Sequence, residues 1–181
     1  YKRQKFNGGA FSFNASGMLQ NAKDAIGAGS TSETATGLAG GLSVEASGFK
    51  LTGNAFTSKG LGGIFQGGIS LVSGAATDTE LANGDLRRSF GYYGQATMTP
   101  KGSKVTFGAS YGSSNIKLGG AEVATGNTLI KKRESIVGLI SYQVTKSYRV
   151  LAEYVNSKDK NHAGDPANTQ NQVGLGMMLF Y

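Results

Sequence analysis

The feature that most constrains this chain is a two-residue alternation of apolar and polar side chains that recurs along nearly its whole length. Between residues 104 and 113, for example, Val105, Phe107 and Tyr111 share one face, opposite Thr106 and Ser110. Successive side chains of a β-strand point to opposite faces, so this period predicts strands. The 29 glycines recur every few positions, and each would cost a helix about 1 kcal/mol relative to alanine. An all-β chain is therefore expected.

The alternating segments are too long for an ordinary soluble sheet. They predict about eight strands, near residues 6–16, 37–46, 49–58, 90–99, 104–113, 134–144, 148–157 and 171–181. A soluble strand averages about five or six residues, whereas a tilted strand that crosses a bilayer needs about nine to eleven. No apolar run approaches the roughly 18 residues of a membrane helix. Strand length thus favours a transmembrane β-barrel.

The connections between these strands alternate between short and long. Short turns are predicted at 47–48, 100–103 and 146–147, and long loops at 17–36, 59–89, 114–133 and 158–170. Antiparallel up-and-down barrels of the bacterial outer membrane have short periplasmic turns and long external loops. The pattern predicts such a barrel as one domain over residues 1–181.

The two faces of the predicted strands differ in chemistry. One carries apolar side chains such as Phe11, Leu42 and Ile140 with no charge among them, and the other carries hydroxyl, amide and charged groups. An apolar exterior around a polar interior is typical of a membrane barrel. A soluble β-sandwich, in which the apolar faces would meet in a core, is the alternative.

The last eleven residues, 171–181, resemble the terminal strand of outer-membrane barrels, which the barrel assembly machinery reads. The match rests on Gly176, Leu179 and Tyr181, and Gly174 stands where that pattern has a polar residue. More broadly, glycine-rich hairpins such as 40–56 resemble the general porins of Gram-negative outer membranes. The resemblance implies a sixteen-stranded barrel of about twice this length, of which these residues are the C-terminal half, and a homotrimer.

The size of the inward residues bears on whether the barrel is larger than this chain. Eight strands enclose a space that side chains can fill, whereas sixteen leave an aqueous channel. The inward positions are mostly Gly, Ser, Thr, Asn and Ala, which are too small to fill a closed barrel well. A piece of a larger pore is favoured. A complete, non-conducting eight-stranded barrel with a structural or adhesive role is the alternative.

Five charged residues are predicted to line this pore: Lys50, Lys104, Arg149, Glu45 and Glu153. Rings of charge set the ion preference of a pore. Because three of the five are cations near the short turns, we expect passive diffusion of ions and small hydrophilic solutes with a modest preference for anions. No cofactor is expected.

Other chemistries are weakly supported. Gly108–Gly112 matches the nucleophile-elbow pattern around Ser110, with Asp159 and His162 following, but it lies inside one strand without the required helix. A chain without cysteine and with one histidine cannot form a thiolate or multi-histidine metal centre.

The net charge of +7 raises the question of anionic partners. The cations are scattered, so nucleic acid is not expected. Cations predicted near the ends of the long loops would face lipopolysaccharide phosphates of the outer leaflet or form a solvated rim: Lys117, Lys131, Lys132, Lys158 and Lys160.

Overall fold

A computed structural model describes residues 2–23, 32–61, 86–117 and 130–180 as one antiparallel sheet of nine strands. The strands are β1 (Lys2–Phe6), β2 (Gly9–Lys23), β3 (Ser32–Ala46), β4 (Phe49–Lys59), β5 (Arg88–Met98), β6 (Val105–Lys117), β7 (Ile130–Thr145), β8 (Tyr148–Asn161) and β9 (Pro166–Leu179). Each strand pairs with the next in the chain, so the topology is up-and-down. Within these ranges no helix has the length and hydropathy needed to cross a membrane.

The all-β, up-and-down architecture is confirmed, with nine strands in the described residues where about eight were expected. The expected first strand, 6–16, runs across a turn, because Phe6 is the last residue of β1 and Gly9 is the first residue of β2. The sequence Lys2–Phe6 carries no apolar alternation, so nothing local marks it as a strand. It is paired along its whole length with β2, from Lys2 opposite Phe13 to Phe6 opposite Gly9.

The turns at 7–8, 47–48, 100–103 and 146–147 lie at one end of the sheet, which we call the turn end, and the other connections, including the short one at 162–165, lie at the loop end. The turn at 47–48 is confirmed: Ser47 and Gly48 both have positive φ, 51° and 85°. Two successive left-handed residues are the geometry of a type I′ hairpin, whose twist matches that of the flanking strands. The turns at 100–103 and 146–147 are also present.

The predicted long loops were drawn too wide. The expected loop 158–170 is mostly strand, since β8 continues to Asn161, β9 begins at Pro166 and only residues 162–165 connect them. Strand pairing is made by backbone groups, so it continues where both faces become polar and the alternation disappears. Pro166, which has no N–H, stands at the first position of β9, where a ladder tolerates it.

The register places most of the large, exposed apolar side chains on one surface, the apolar face, whereas Phe56, Leu139 and Leu151 lie half-buried on the opposite surface. Directly opposite residues share a face, and Phe11, Val44 and Leu51 follow one another in this way across β2, β3 and β4. Most large side chains of this face are exposed: Leu42 is 54% exposed and Leu175 is 84% exposed.

Little apolar surface is covered elsewhere in the sheet. Across the described ranges the buried hydrophobic residues are Ala10, Ala35, Leu61, Leu86 and Ile116. A soluble sandwich would bury its large apolar side chains in a core. The sheet has the opposite arrangement, with the large apolar side chains outside.

The sheet does not close on itself within the described residues. β1 pairs with β2 and β9 pairs with β8, and no pairing joins β1 to β9. The outer edges of these two strands therefore carry backbone N–H and C=O groups that no other described strand pairs.

Candidate functional site

The surface opposite the apolar face, which we call the polar face, is the candidate functional site. Along β5 the buried residues Ser89 and Gly91 alternate with Phe90 and Tyr92, which are 41% and 47% exposed. The polar side chains are thus the less exposed set, as expected on the inner side of a curved sheet.

Pairs of hydroxyl groups cross neighbouring strands on this face. The Oγ atoms lie 2.7 Å apart in Ser12–Ser43, 2.5 Å apart in Ser58–Ser89 and 2.7 Å apart in Ser135–Ser157. Each hydroxyl both donates and accepts, so a pair retains capacity for water. Short side chains of this kind give a wettable wall that does not fill the space in front of it.

Three of the five charged residues predicted to line a pore lie in one row across the sheet. Glu45 stands directly opposite Lys50, and the row continues through β5, β6 and β7 to Glu153. Glu45 and Lys50 are exposed and Glu153 is half-buried. The structure therefore places these three on the polar face, and their effect on permeating ions stays a prediction.

The other two predicted residues, Lys104 and Arg149, flank Gln143 near the turn end. The Gln143 N–H donates to the carbonyl oxygen of Lys104 at 2.9 Å, and Arg149 Nε donates to Gln143 Oε1 at 2.7 Å. The Arg149 guanidinium carbon also lies 5.6 Å from the centroid of the Phe180 ring, a cation–π contact. Arg149 is thus held in place from two sides.

One ion pair of the polar face was missed from the sequence. Arg133 and Asp159 are directly opposite on β7 and β8, and the guanidinium donates from Nε and Nη2 to the two carboxylate oxygens at 2.5 Å each. Asp159, which the sequence placed in a loop, is only 3% exposed. No alternation marks this end of β8 as strand, because every residue from Asn156 to Lys160 is polar.

We expect Arg133→Ala to lower the free energy of unfolding by about 1–2 kcal/mol, because Asp159 would stay buried without its bidentate donor. The figure is reduced for the partial exposure of Arg133. Urea titration of the whole folded protein measures it. The double variant Arg133→Ala/Asp159→Ala should recover most of the loss, and a double variant as unstable as the sum of the singles would show that the pair is not coupled.

The serine hydrolase arrangement does not assemble. Ser110 stands opposite Val137, which stands opposite Val155, and Asp159 lies four residues further along β8. Four residues of strand and two strand spacings separate Ser110 and Asp159 by about 13 Å along the strand and about 10 Å across it. Asp159 also binds Arg133. In the part of the chain that the structure describes, no three His, Cys, Asp or Glu side chains are grouped to hold a metal ion.

Two of the three residues of the predicted assembly signal lie in β9. Gly176 stands opposite Leu151 on the polar face, and Leu179 stands opposite Tyr148 on the apolar face, where it is 68% exposed. Tyr181 lies outside the described residues. Their role in assembly stays a prediction.

Comparison with known proteins gives one informative likeness. No family model and no curated protein matches the sequence. The structure is similar to the crystal structure of the outer membrane channel DcaP of Acinetobacter baumannii, with a TM-score of 0.70 and 18% sequence identity. The match covers 95% of this chain and 47% of that one, so this chain spans about half the length of the channel. The chain therefore shares the β-sheet fold of about half of this outer-membrane channel.

Proposed function

We propose that this chain forms part of a water-filled channel in the outer membrane of a Gram-negative bacterium, through which ions and small hydrophilic solutes diffuse passively. The observation that carries the proposal is the arrangement of the two faces. Apolar side chains such as Leu42, Leu51 and Ile140 are exposed, while the opposite face carries hydroxyls and charges. Lipid is the environment that stabilises the first face, and water the second.

The barrel is proposed to be larger than the described sheet. Backbone groups in hydrocarbon must be paired, so the outer edges of β1 and β9 require further strands. The likeness to about half of a longer channel supports the same conclusion. In this proposal residues 1–181 are one portion of a barrel of sixteen strands or so, and the small side chains of the polar face leave its lumen open.

The charges of the polar face support a modest anion preference. Lys50, Lys104 and Arg149 outnumber Glu45 and Glu153 at the turn end, which would be the periplasmic mouth. Recognition of Gly176, Leu179 and Tyr181 by the barrel assembly machinery, and assembly as a homotrimer, are further parts of the proposal that rest on the resemblance to porins.

Single-channel conductance tests the proposal. The protein purified from its native outer membrane and added to a planar lipid bilayer should give large, stable steps whose size rises with salt concentration. A folded, heat-modifiable protein that leaves the bilayer silent would contradict the channel and support the alternative, a filled barrel that acts through its loops.

A further inference from the structure

Three cations form a row across the apolar face near the loop end of the sheet. Lys59, Arg88 and Lys117 are directly opposite one another on β4, β5 and β6. Neighbouring strands lie about 4.8 Å apart, so the row spans about 10 Å at the level of the backbone. Arg88 and Lys117 are exposed and Lys59 is half-buried. We call these three residues the cationic row.

Such a row is unfavourable unless an anion offsets it, because like charges directly opposite on neighbouring strands destabilise a sheet. Among the strand residues whose side chains are described, the apolar face carries one acid, Glu134 on β7. That carboxylate accepts from Lys132 Nζ at 2.7 Å and from the Tyr111 hydroxyl at 2.6 Å, and Lys160 Nζ lies 3.9 Å away. Glu134 therefore interacts with side chains on β6, β7 and β8, and it lies away from Arg88 at the centre of the row.

An apolar groove adjoins the cationic row. It has a volume of about 760 Å³, and its lining includes Leu19, Leu38 and Thr57 together with Lys59 and Arg88. Leu19 is 78% exposed and Leu38 is 66% exposed. Leu38 stands opposite Thr57. Thr57 and Lys59 are neighbours on the same face of β4, and Thr57 is the nearer of the two to the turn end. Cations thus stand at the loop end of the groove, and apolar side chains continue from them toward the middle of the sheet.

The surroundings of this surface specify its occupant. In an outer-membrane barrel the long connections are external and the apolar face meets lipid, so the cationic row would lie at the level of the outer headgroups. We propose that the cationic row binds the phosphate groups of an outer-leaflet glycolipid, lipopolysaccharide, while the groove receives one of its acyl chains. This inference rests on the outer-membrane placement in the proposed function.

The test is binding of purified lipid A to the whole protein in detergent. We expect the triple variant Lys59→Gln/Arg88→Gln/Lys117→Gln to bind phosphorylated lipid A at least about tenfold more weakly than the unmodified protein, because charge-assisted contacts to phosphate are lost. Dephosphorylated lipid A should bind both proteins equally and weakly. Inorganic phosphate should not compete at millimolar concentration, because it cannot occupy the groove.

Two further variants make the result specific. Lys5→Gln/Lys101→Gln/Lys146→Gln removes three exposed cations at the turn end and should bind lipid A within about twofold of the unmodified protein. Lys59→Arg/Arg88→Lys/Lys117→Arg keeps the three positive charges and should also retain binding, because either side chain donates to phosphate. Equal loss in the turn-end variant, or none in the Gln variant of the row, would overturn the site.

Conductance of the same preparations separates this inference from the proposed function. Steps that persist while the cationic row has no effect on lipid binding would overturn the site and leave the channel intact. A silent protein whose lipid binding depends on the row would overturn the channel and leave the site intact.

Discussion

Leu42→Arg is expected to destabilise the protein folded in a bilayer by about 2–4 kcal/mol, because it would place a charge in hydrocarbon near the middle of the apolar face. Leu42 is 54% exposed on the central part of β3. In water the same change at an exposed position would have almost no effect. Urea titration of the whole protein in lipid vesicles, followed by tyrosine fluorescence or by heat-modifiable migration, measures the change.

Thr52→Arg is the matched control. Thr52 lies on the neighbouring strand one residue along from the position opposite Leu42, but its side chain belongs to the polar face. The same added charge should then change the free energy of unfolding by less than about 1 kcal/mol, because the arginine reaches water. Equal destabilisation by the two variants, or a larger loss for Thr52→Arg, would contradict the assignment of the two faces.

Lys104→Glu/Arg149→Glu is expected to shift the reversal potential in a salt gradient toward cations and to change the permeability ratio of anion to cation by roughly twofold or more. Arg149 is held against Gln143 and Phe180, so its charge occupies a defined place near the turn end. The measurement is the zero-current potential of the channel in a planar bilayer with different salt concentrations on the two sides.

Lys2→Glu/Lys158→Glu makes the same change in net charge on the other surface. The register assigns both residues to the apolar face, where Lys2 stands opposite Phe13 and Lys158 opposite Glu134. We expect its reversal potential to match that of the unmodified protein, since these charges are separated from the lumen by the sheet. An unchanged potential in the Lys104/Arg149 variant would remove those two residues from the lining.

Much of the fold was predictable because it depends on local periodicity. Alternation along segments such as 104–113 indicates both the strand and the face of each residue, and the turns at 47–48 and 146–147 interrupt it clearly. The prediction was wrong where alternation is absent. Lys2–Phe6 and the polar ends of β8 and β9 form strands through backbone pairing with neighbours, which leaves no mark in their own side chains.

The candidate site, too, could be predicted only where its residues lie in alternating segments. Membership of the polar face could be predicted for Glu45, Lys50 and Glu153, because each stands in an alternating segment. The pairing of Arg133 with Asp159 could not, since the two are 26 residues apart and an extended strand had been taken for a loop. The contact between Arg149 and Gln143 likewise depends on the hairpin geometry at 146–147.

Sequence alone was sufficient for the class of the fold, the orientation of side chains within each strand and the approximate positions of the turns. These follow from the two-residue period of an extended chain, which is a local property. The alignment of the strands with one another came only from the structure, and it places Lys59, Arg88 and Lys117 in a single row. Register depends on which distant residues exchange backbone hydrogen bonds, and no single segment contains that information.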